Sequence, residues 1–344
     1  MSVSAQEITI AVTVFNRRQF LAEAISSALK QTLPVKVIVV EDCGPDLQLK
    51  KFVQDQFGSQ IEYYRNPVRR GLFDNWNACM EYCRTKWLSI LHDDDFISPR
   101  FIESMLQLSK EAPDCGLYYG LTGIVDDRGR PLSGYETKPL ISPWRASDLA
   151  EALDNTPFPF PGHIFRVDFA RALGGFRTSS QFTGDWEMWT RLIARYKGAQ
   201  TNIITGYQRS HTGPERGTTK VFLNGRMWPL VAVQRKRVVH LLRQTGVNVR
   251  FNRDEFLKKS PMPASFLVRH GAGLTPRMLR YCVKCMVRSH APSLGYGIFQ
   301  LGARIFGVPF VKASSKVFGT RTTQSAKSQP VPTISKPEPS QKFT

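Results

Sequence analysis

Three consecutive carboxylates, Asp93-Asp94-Asp95, close a short apolar run, Trp87-Leu88-Ser89-Ile90-Leu91-His92. Like charges side by side repel, so a fold keeps such a triplet in open solvent or gathers it around a cation. An apolar run of this length without helical spacing reads as a buried strand of a parallel sheet. The acids then stand at its carboxyl end, where open α/β sheets bind ligands, and an oxygen-rich cluster there suits a hard cation with its phosphate ligand. A solvated acidic turn is the plainer reading of the same residues. Two earlier strand ends also carry polar groups, Thr13 and Asp42. Further on, Asp185 opens the amphipathic segment Asp185-Trp186-Glu187-Met188-Trp189-Thr190-Arg191-Leu192, where an Asp serves as helix cap or first-turn residue.

These residues need a scaffold, and the chain supplies alternating elements. Ile8 to Val14 alternates into a strand. Phe20-Leu21, Ala24-Ile25 and Ala28-Leu29 follow at helical spacing, and Leu33-Pro34 ends that helix before the strand Val35 to Val40. A helix over 46–57, a strand at Ile61 to Tyr64, a helix over 73–84 and the strand at 87–91 continue the pattern. Strand–helix units of about 30 residues indicate a doubly wound, mostly parallel sheet. Beyond the triplet, Pro99 opens a helix, Cys115 to Tyr119 is a strand candidate, and Asp127-Arg128-Gly129-Arg130-Pro131 is a turn joining antiparallel strands. Phe158-Pro159-Phe160-Pro161-Gly162-His163 reads as a rigid loop, Gly174-Gly175-Phe176 as a helix end, and Gly206 to Thr219 as a mobile loop containing His211.

The net charge of +19 is unevenly distributed. Residues 1–219 hold 25 Lys and Arg against 25 Asp and Glu, whereas residues 220–344 hold 22 against 3. The sequence therefore reads as a neutral body with a basic appendage suited to an anionic membrane surface or a polyanion. Met227 to Arg243 reads as a basic amphipathic helix. Tyr296 to Phe306 has the apolar content of an interfacial helix, with packing on the body as the competing reading. Thr320 to Thr344 has a disordered composition. No charged leader followed by an apolar core is seen at the N-terminus, and no run of about 18 apolar residues suggests a spanning helix. The six cysteines form no disulfide framework, which fits a reducing cytoplasm.

Seven motifs now stand in order: Ile10-Ala11-Val12-Thr13-Val14-Phe15-Asn16-Arg17, Ala28-Leu29-Lys30-Gln31-Thr32-Leu33-Pro34, Val39-Val40-Glu41-Asp42, Asn75-Trp76-Asn77-Ala78, Leu91-His92-Asp93-Asp94-Asp95, Gly174-Gly175-Phe176 and Asp185-x-x-x-Trp189-x-Arg191. The series resembles the successive motifs of family 2 inverting glycosyltransferases of the GT-A fold, over roughly residues 6–205. The resemblance implies that Thr13 and Phe15 contact base and ribose, and that Asp42 accepts from a uracil-type ring N–H. It implies that Arg17, with Arg69 or Arg70, pairs with the diphosphate. The family's metal motif is commonly Asp-x-Asp-Asp, and His92 departs from it at the first position. Asp94 matches the principal ligand of a divalent Mg or Mn, Asp93 the neighbour facing ribose or phosphate, and Asp95 a supporting acid. His211 matches a late-arriving metal ligand in a loop over the pyrophosphate. Asp185 matches the catalytic base, with Gly184 where the family often has an acid, and Glu187 points elsewhere. Trp186, Trp189 and His163 are candidates for an acceptor wall, with core packing the leading reading of Trp189.

The expected organisation is a GT-A transferase domain over 1–219, a basic helical region over 220–319 and a disordered tail over 320–344. The expected activity is metal-dependent, inverting transfer of a sugar from a UDP- or dTDP-linked donor to a glycan acceptor, lipid-linked, in cell-surface polysaccharide synthesis. The enzyme would be cytoplasmic and peripheral on the inner face of the membrane, with no nucleic-acid partner. A nucleotidyltransferase would call for a Gly-rich loop after the first strand, and Thr13 to Arg18 contains no glycine. A non-catalytic polyanion- or membrane-binding protein would use the basic third alone.

Overall fold

The structure, a computed structural model, describes residues 3–132, 160–210 and 237–244 apart from 242. His211, the expected interfacial helix and the expected tail lie outside the described residues. Of the basic helix expected over 227–243, the helical residues Arg237 to Leu241 are described.

Eight strands form one sheet. They are β1 (Ile8–Val14), β2 (Lys36–Glu41), β3 (Glu62–Arg65), β4 (Trp87–His92), β5 (Phe96–Ile97), β6 (Leu117–Val125), β7 (His163–Arg166) and β8 (Gly198–Arg209), in the spatial order β3-β2-β1-β4-β7-β6-β8-β5. The first four are parallel, as the alternation of elements implies, with Thr13 opposite both Val40 and His92. Across β7 the sheet becomes mixed: β4–β7, β6–β7 and β5–β8 are antiparallel, β6–β8 parallel. Helices α1 (Leu21–Leu29), α2 (Leu49–Phe57), α3 (Leu72–Tyr82), α4 (Phe101–Glu111), α5 (Val167–Ala172) and α6 (Gly184–Tyr196) flank it.

Strand alternation divides the core into two layers. Ile8, Ile10, Val12, Val37 and Val39 pack with the apolar faces of α1, α2 and α4, while Ala11, Ile38, Val40, Leu88 and Ile90 pack with α3, α5 and α6. β1 is buried along its whole length, which is why its sequence is a near-continuous β-branched run.

The order of strands forces curvature. β4 and β5 are four sheet positions apart, about 19 Å on a flat sheet. Only residues 93–95 join them, a reach of about 14 Å at full extension. The sheet therefore bends back on itself at its ligand-binding end, drawing β5 and β8 toward the tip of β4.

Two expectations need correction. Gly206 to Arg209, read as the start of a mobile loop, belong to β8: Gly206 and Tyr207 pair with Ile97 and Phe96 on one side and with Thr122 and Gly123 on the other. Ladder bonds on both edges hold this polar stretch extended despite its weak strand signature. His163, read as loop, is the first residue of β7, paired with Tyr119. The expected turn at 127–131 is present, with Asp126 N–H donating to Arg130 O at 2.9 Å and Val125 bridging Pro131 in antiparallel sense. Among the described residues no helix is long and apolar enough to cross a membrane.

Candidate active site

The tips of β1, β2 and β4 converge, as parallel neighbours must. After β4 the acidic triplet turns sharply into β5, its first two acids sharing one partner and the third meeting another. Arg17, from the loop after β1, straddles the first two: its guanidinium bonds both oxygens of Asp93 and donates to Asp94 Oδ2 at 2.7 Å. Burial raises the Asp93 pKa to about 6, Arg17 opposing that rise and Asp94 adding to it. Asp95 is buried and accepts from the Arg209 backbone N–H at 3.0 Å, with His92 Nδ1 3.6 Å from its other oxygen. Burial and the neighbouring Asp94 raise its pKa as well.

His92 packs in a cluster of rings, 4.1 Å from Phe160 and 5.4 Å from Trp76 by centroid, with those two 4.4 Å from each other. Burial works against its charged form, but Asp95, with Asp94 and Asp93, outweighs it and raises the pKa. Its Nε2 is buried without a hydrogen-bond partner among the described residues. His92, Asp94 and Asp95 each offer one ligand atom, all within 4.8 Å of one another.

Arg209 fastens this loop. The side chain is 1% exposed; it donates to Asp94 O at 3.1 Å, Asp127 O at 2.9 Å and Glu23 Oε2 at 2.6 Å, and its guanidinium lies 4.3 Å from the Phe20 ring centroid. A buried cation so fully coordinated is costly to disturb. Nothing in the sequence pattern marks it, because a single Arg at the end of a polar stretch has no periodic signature.

At the neighbouring tip, Asp42 is buried and its carboxylate accepts from Arg70 N–H at 2.7 Å, Gly71 N–H at 2.9 Å and Asn66 Nδ2 at 3.3 Å. Asn66 in turn donates to Asn75 Oδ1 at 2.8 Å. Asp42 thus shapes the loop before α3, and its remaining lone pairs are those left for a base. Arg70 contributes its backbone here; its guanidinium pairs with Glu81 at 2.8 Å, away from the triplet. Arg69 instead covers the Phe15 ring at 4.2 Å from the centroid. Thr13 is buried and donates to Leu91 O at 3.4 Å, joining β1 to β4. Gly44 brings the loop after β2 against Phe15: a Cβ there would stand 1.6 Å from Phe15 O.

Asp185 sits in the first turn of α6, half-buried, with Oδ1 accepting from the Trp186 N–H at 2.7 Å. Burial pushes its pKa up to about 6, with the Trp186 N–H and then the charge of His92 pulling the other way. Among the described residues no cation pairs with it. Glu187 points elsewhere, into a pair of 2.8 Å bonds from Arg191. Trp189 is core, as its leading reading has it, and His163, a candidate for the acceptor wall, is core as well: both are fully buried, 4.6 Å apart by ring centroid, and burial lowers the His163 pKa to about 3. Trp186 is 5% exposed and packs in the same cluster. Their aromatic character is needed to fill the space between α3, α6 and the sheet.

Comparison with known proteins agrees with this geometry. The glycosyl transferase family 2 profile matches residues 9–173. An uncharacterized glycosyltransferase of Haemophilus influenzae is 23% identical over 188 residues, 54% of this chain and 62% of that protein. Chondroitin synthase of Escherichia coli is 22% identical over 189 residues, 54% of this chain and 26% of its own length. Succinoglycan biosynthesis protein ExoO of Rhizobium meliloti is 30% identical over 109 residues, 31% of this chain and 30% of its own. The chain spans less than two thirds of the length of each of these relatives. Among solved structures, S. aureus TarS 1-349 in complex with UDP-GlcNAc superposes with a TM-score of 0.54 at 13% identity, covering 92% of this chain and 93% of that one. The mannosyltransferase PcManGT from Pyrobaculum calidifontis, in complex with GDP-Man and Mn2+, gives 0.51 at 12% identity over 92% and 88%. The fold and the order of motifs are those of a GT-A glycosyltransferase. Over residues 9–173 the chain is similar to glycosyl transferase family 2, and its relatives include proteins named for polysaccharide synthesis.

Proposed function

We propose that the chain is a metal-dependent, inverting glycosyltransferase that moves a sugar from a nucleoside diphosphate donor, UDP- or dTDP-linked, to a lipid-linked glycan acceptor in cell-surface polysaccharide synthesis. The observation that carries this reading is Asp185: a half-buried carboxylate with a pKa raised to about 6, without a cation partner among the described residues, and near enough to His92 to feel its charge. Such a group is ionised at neutral pH and yet basic enough to take a proton. In the proposed step the acceptor hydroxyl oxygen bonds the anomeric carbon from the face opposite the nucleotide and its proton passes to Asp185. The bond to the nucleoside diphosphate breaks, the oxygen keeping the electron pair.

His92, Asp94 and Asp95 form a donor set that fits Mg or Mn, the imidazole nitrogen favouring Mn. When bound, the ion supplies charge neutralisation for the departing diphosphate. Arg17 supplies a second cation at the same place, and the half-buried Phe15 ring, one face of which Arg69 covers, is the aromatic group assigned to the base. The sugar nucleotides named with TarS and PcManGT, and the Mn2+ named with the latter, support a nucleotide-sugar donor and a divalent ion. The basic last third supports attachment to an anionic inner membrane face from the cytoplasm.

Asp185→Asn tests the assignment. It should abolish transfer while leaving nucleotide binding in the presence of Mn within about threefold of wild type. Retained turnover refutes the role of Asp185, and retention of the donor's anomeric configuration, read by proton NMR of the product, refutes inversion.

A further inference from the structure

A cavity of about 280 Å3 lies on the outer side of α6, between that helix, the 3-10 turn Thr178–Thr183 and the segment from Arg237 to Gln244. It does not belong to the donor site. Its α6 residues are Glu187, Thr190 and Arg191, which the helical repeat of about 3.6 residues per turn places on the face turned from Asp185. The size stands at the lower end of small-ligand pockets, enough for a small polar group.

Among the described residues the lining carries three arginines, Arg177, Arg191 and Arg237, against one acid, Glu187. That acid is already engaged. Both of its oxygens accept from Arg191 at 2.8 Å, and Arg191 spends its remaining donors on Leu173 O and Gly175 O at 2.6 and 2.5 Å. Arg177 reaches Glu187 only at 3.4 Å, and Arg237 rests on two neutral oxygens, Ser179 O at 3.2 Å and Ser180 Oγ at 3.4 Å. Both side chains keep access to water, Arg177 at 54%. Two guanidinium forks therefore face one cavity with one largely consumed carboxylate between them. His240 and Gln244 add polar atoms, and Val238 and Leu241 an apolar wall. A carboxylate could satisfy one fork; a tetrahedral, multiply charged group can accept from both.

We propose that this cavity binds a phosphate or diphosphate group, by chelation between Arg177 and Arg237. The site is independent of the transferase reading, since it shares no residue with the donor site. It gives the basic region beyond residue 220 a definite anionic contact on the body of the enzyme.

Calorimetric titration of the full chain with sodium pyrophosphate, in the presence of EDTA, tests the proposal. Arg177→Gln combined with Arg237→Gln should weaken pyrophosphate binding at least tenfold. Arg100→Gln combined with Arg128→Gln removes the same charge from exposed positions elsewhere and should leave it within threefold. Absence of pyrophosphate binding by wild type, equal binding by wild type and the R177Q/R237Q variant, or equal losses in the two double variants overturns the site. Co-sedimentation with phosphatidylcholine vesicles containing phosphatidic acid, whose phosphomonoester headgroup is multiply charged, then separates the sources of the group. Vesicle binding that pyrophosphate displaces and R177Q/R237Q loses supports a lipid headgroup. Vesicle binding unchanged by R177Q/R237Q, with pyrophosphate binding lost, supports a soluble or acceptor-borne diphosphate.

Discussion

Burial of Asp185 ought to cost stability, and the cost is measurable apart from catalysis. Its pKa rises from 3.8 to about 6 in the fold, chiefly because burial disfavours the charged form. At about 1.4 kcal/mol per unit, a shift of about two units corresponds to about 3 kcal/mol, reduced to about 1.5–3 kcal/mol because the group is only half-buried. The sign follows from proton binding. Between the unfolded and folded pKa values the native state holds more protons than the unfolded state, so this group's contribution is fully favourable below about pH 4 and is lost as pH rises through 6. Asp185→Asn carries no such charge. Urea unfolding of the metal-free protein should therefore show the variant about 1.5–3 kcal/mol more stable than wild type at pH 7.5, the gain shrinking to about a third at pH 4.5. Other titrating groups cancel in the difference. A variant no more stable than wild type at pH 7.5, or a gain independent of pH, would refute a base whose strength comes from burial. The wild-type rate should rise with pH through about 6, because only the ionised carboxylate accepts a proton.

Arg17→Ala removes the cation that occupies Asp93 and Asp94; a charged hydrogen bond of about 1.5–3 kcal/mol converts to a gain of about 10- to 100-fold in Mn affinity. Nucleoside diphosphate affinity should fall in the same variant, both readable by calorimetry, and weaker Mn binding would show that Arg17 does not compete with the ion. Arg209→Met leaves Glu23 and three backbone carbonyls, Asp94 O, Asp126 O and Asp127 O, short of donors, and a loss of about 3–5 kcal/mol is expected in urea unfolding. Gly175 has φ +66°, and a Cβ there would stand 2.6 Å from Asn77 Oδ1, so Gly175→Ala should destabilise by at least about 1–2 kcal/mol. Asn77 accepts from the Phe176 N–H at 2.8 Å and donates to Phe176 O at 2.9 Å, and an unchanged thermal midpoint for that variant would show that this pair tolerates displacement.

The parallel half of the sheet was readable because fully buried strands are continuous apolar runs, and Ile8–Val14 and Trp87–His92 leave little else to choose. The mixed half was less so. β5 has two residues, and the end of β8 is Thr-Gly-Tyr-Gln-Arg, a polar sequence held extended by partners on both sides. Tertiary pairing overrides local preference there. Motif order placed the acids at the strand tips, but spacing says nothing of side-chain partners. It did not reveal that Asp42 is bound by the loop before α3, that Arg70 turns to Glu81, or that Arg209 anchors the triplet. Trp189 and His163 show the converse case, where residue type suits a sugar face and packing claims it first.

The bond between Asp95 and the Arg209 backbone joins residues 114 apart in the chain, and among the described residues β5 pairs only with β8. Pairings so distant in sequence are late events, because the intervening chain must be ordered before its loop can be closed. The acid loop therefore has no finished shape until the last strand docks. During synthesis the strands that carry Thr13, Asp42 and the triplet are made first, yet the proposed divalent-ion site has to wait for Arg209. High-affinity metal binding should consequently report the completed fold, a property that a chain ending before β8 would lack even with every acid in place.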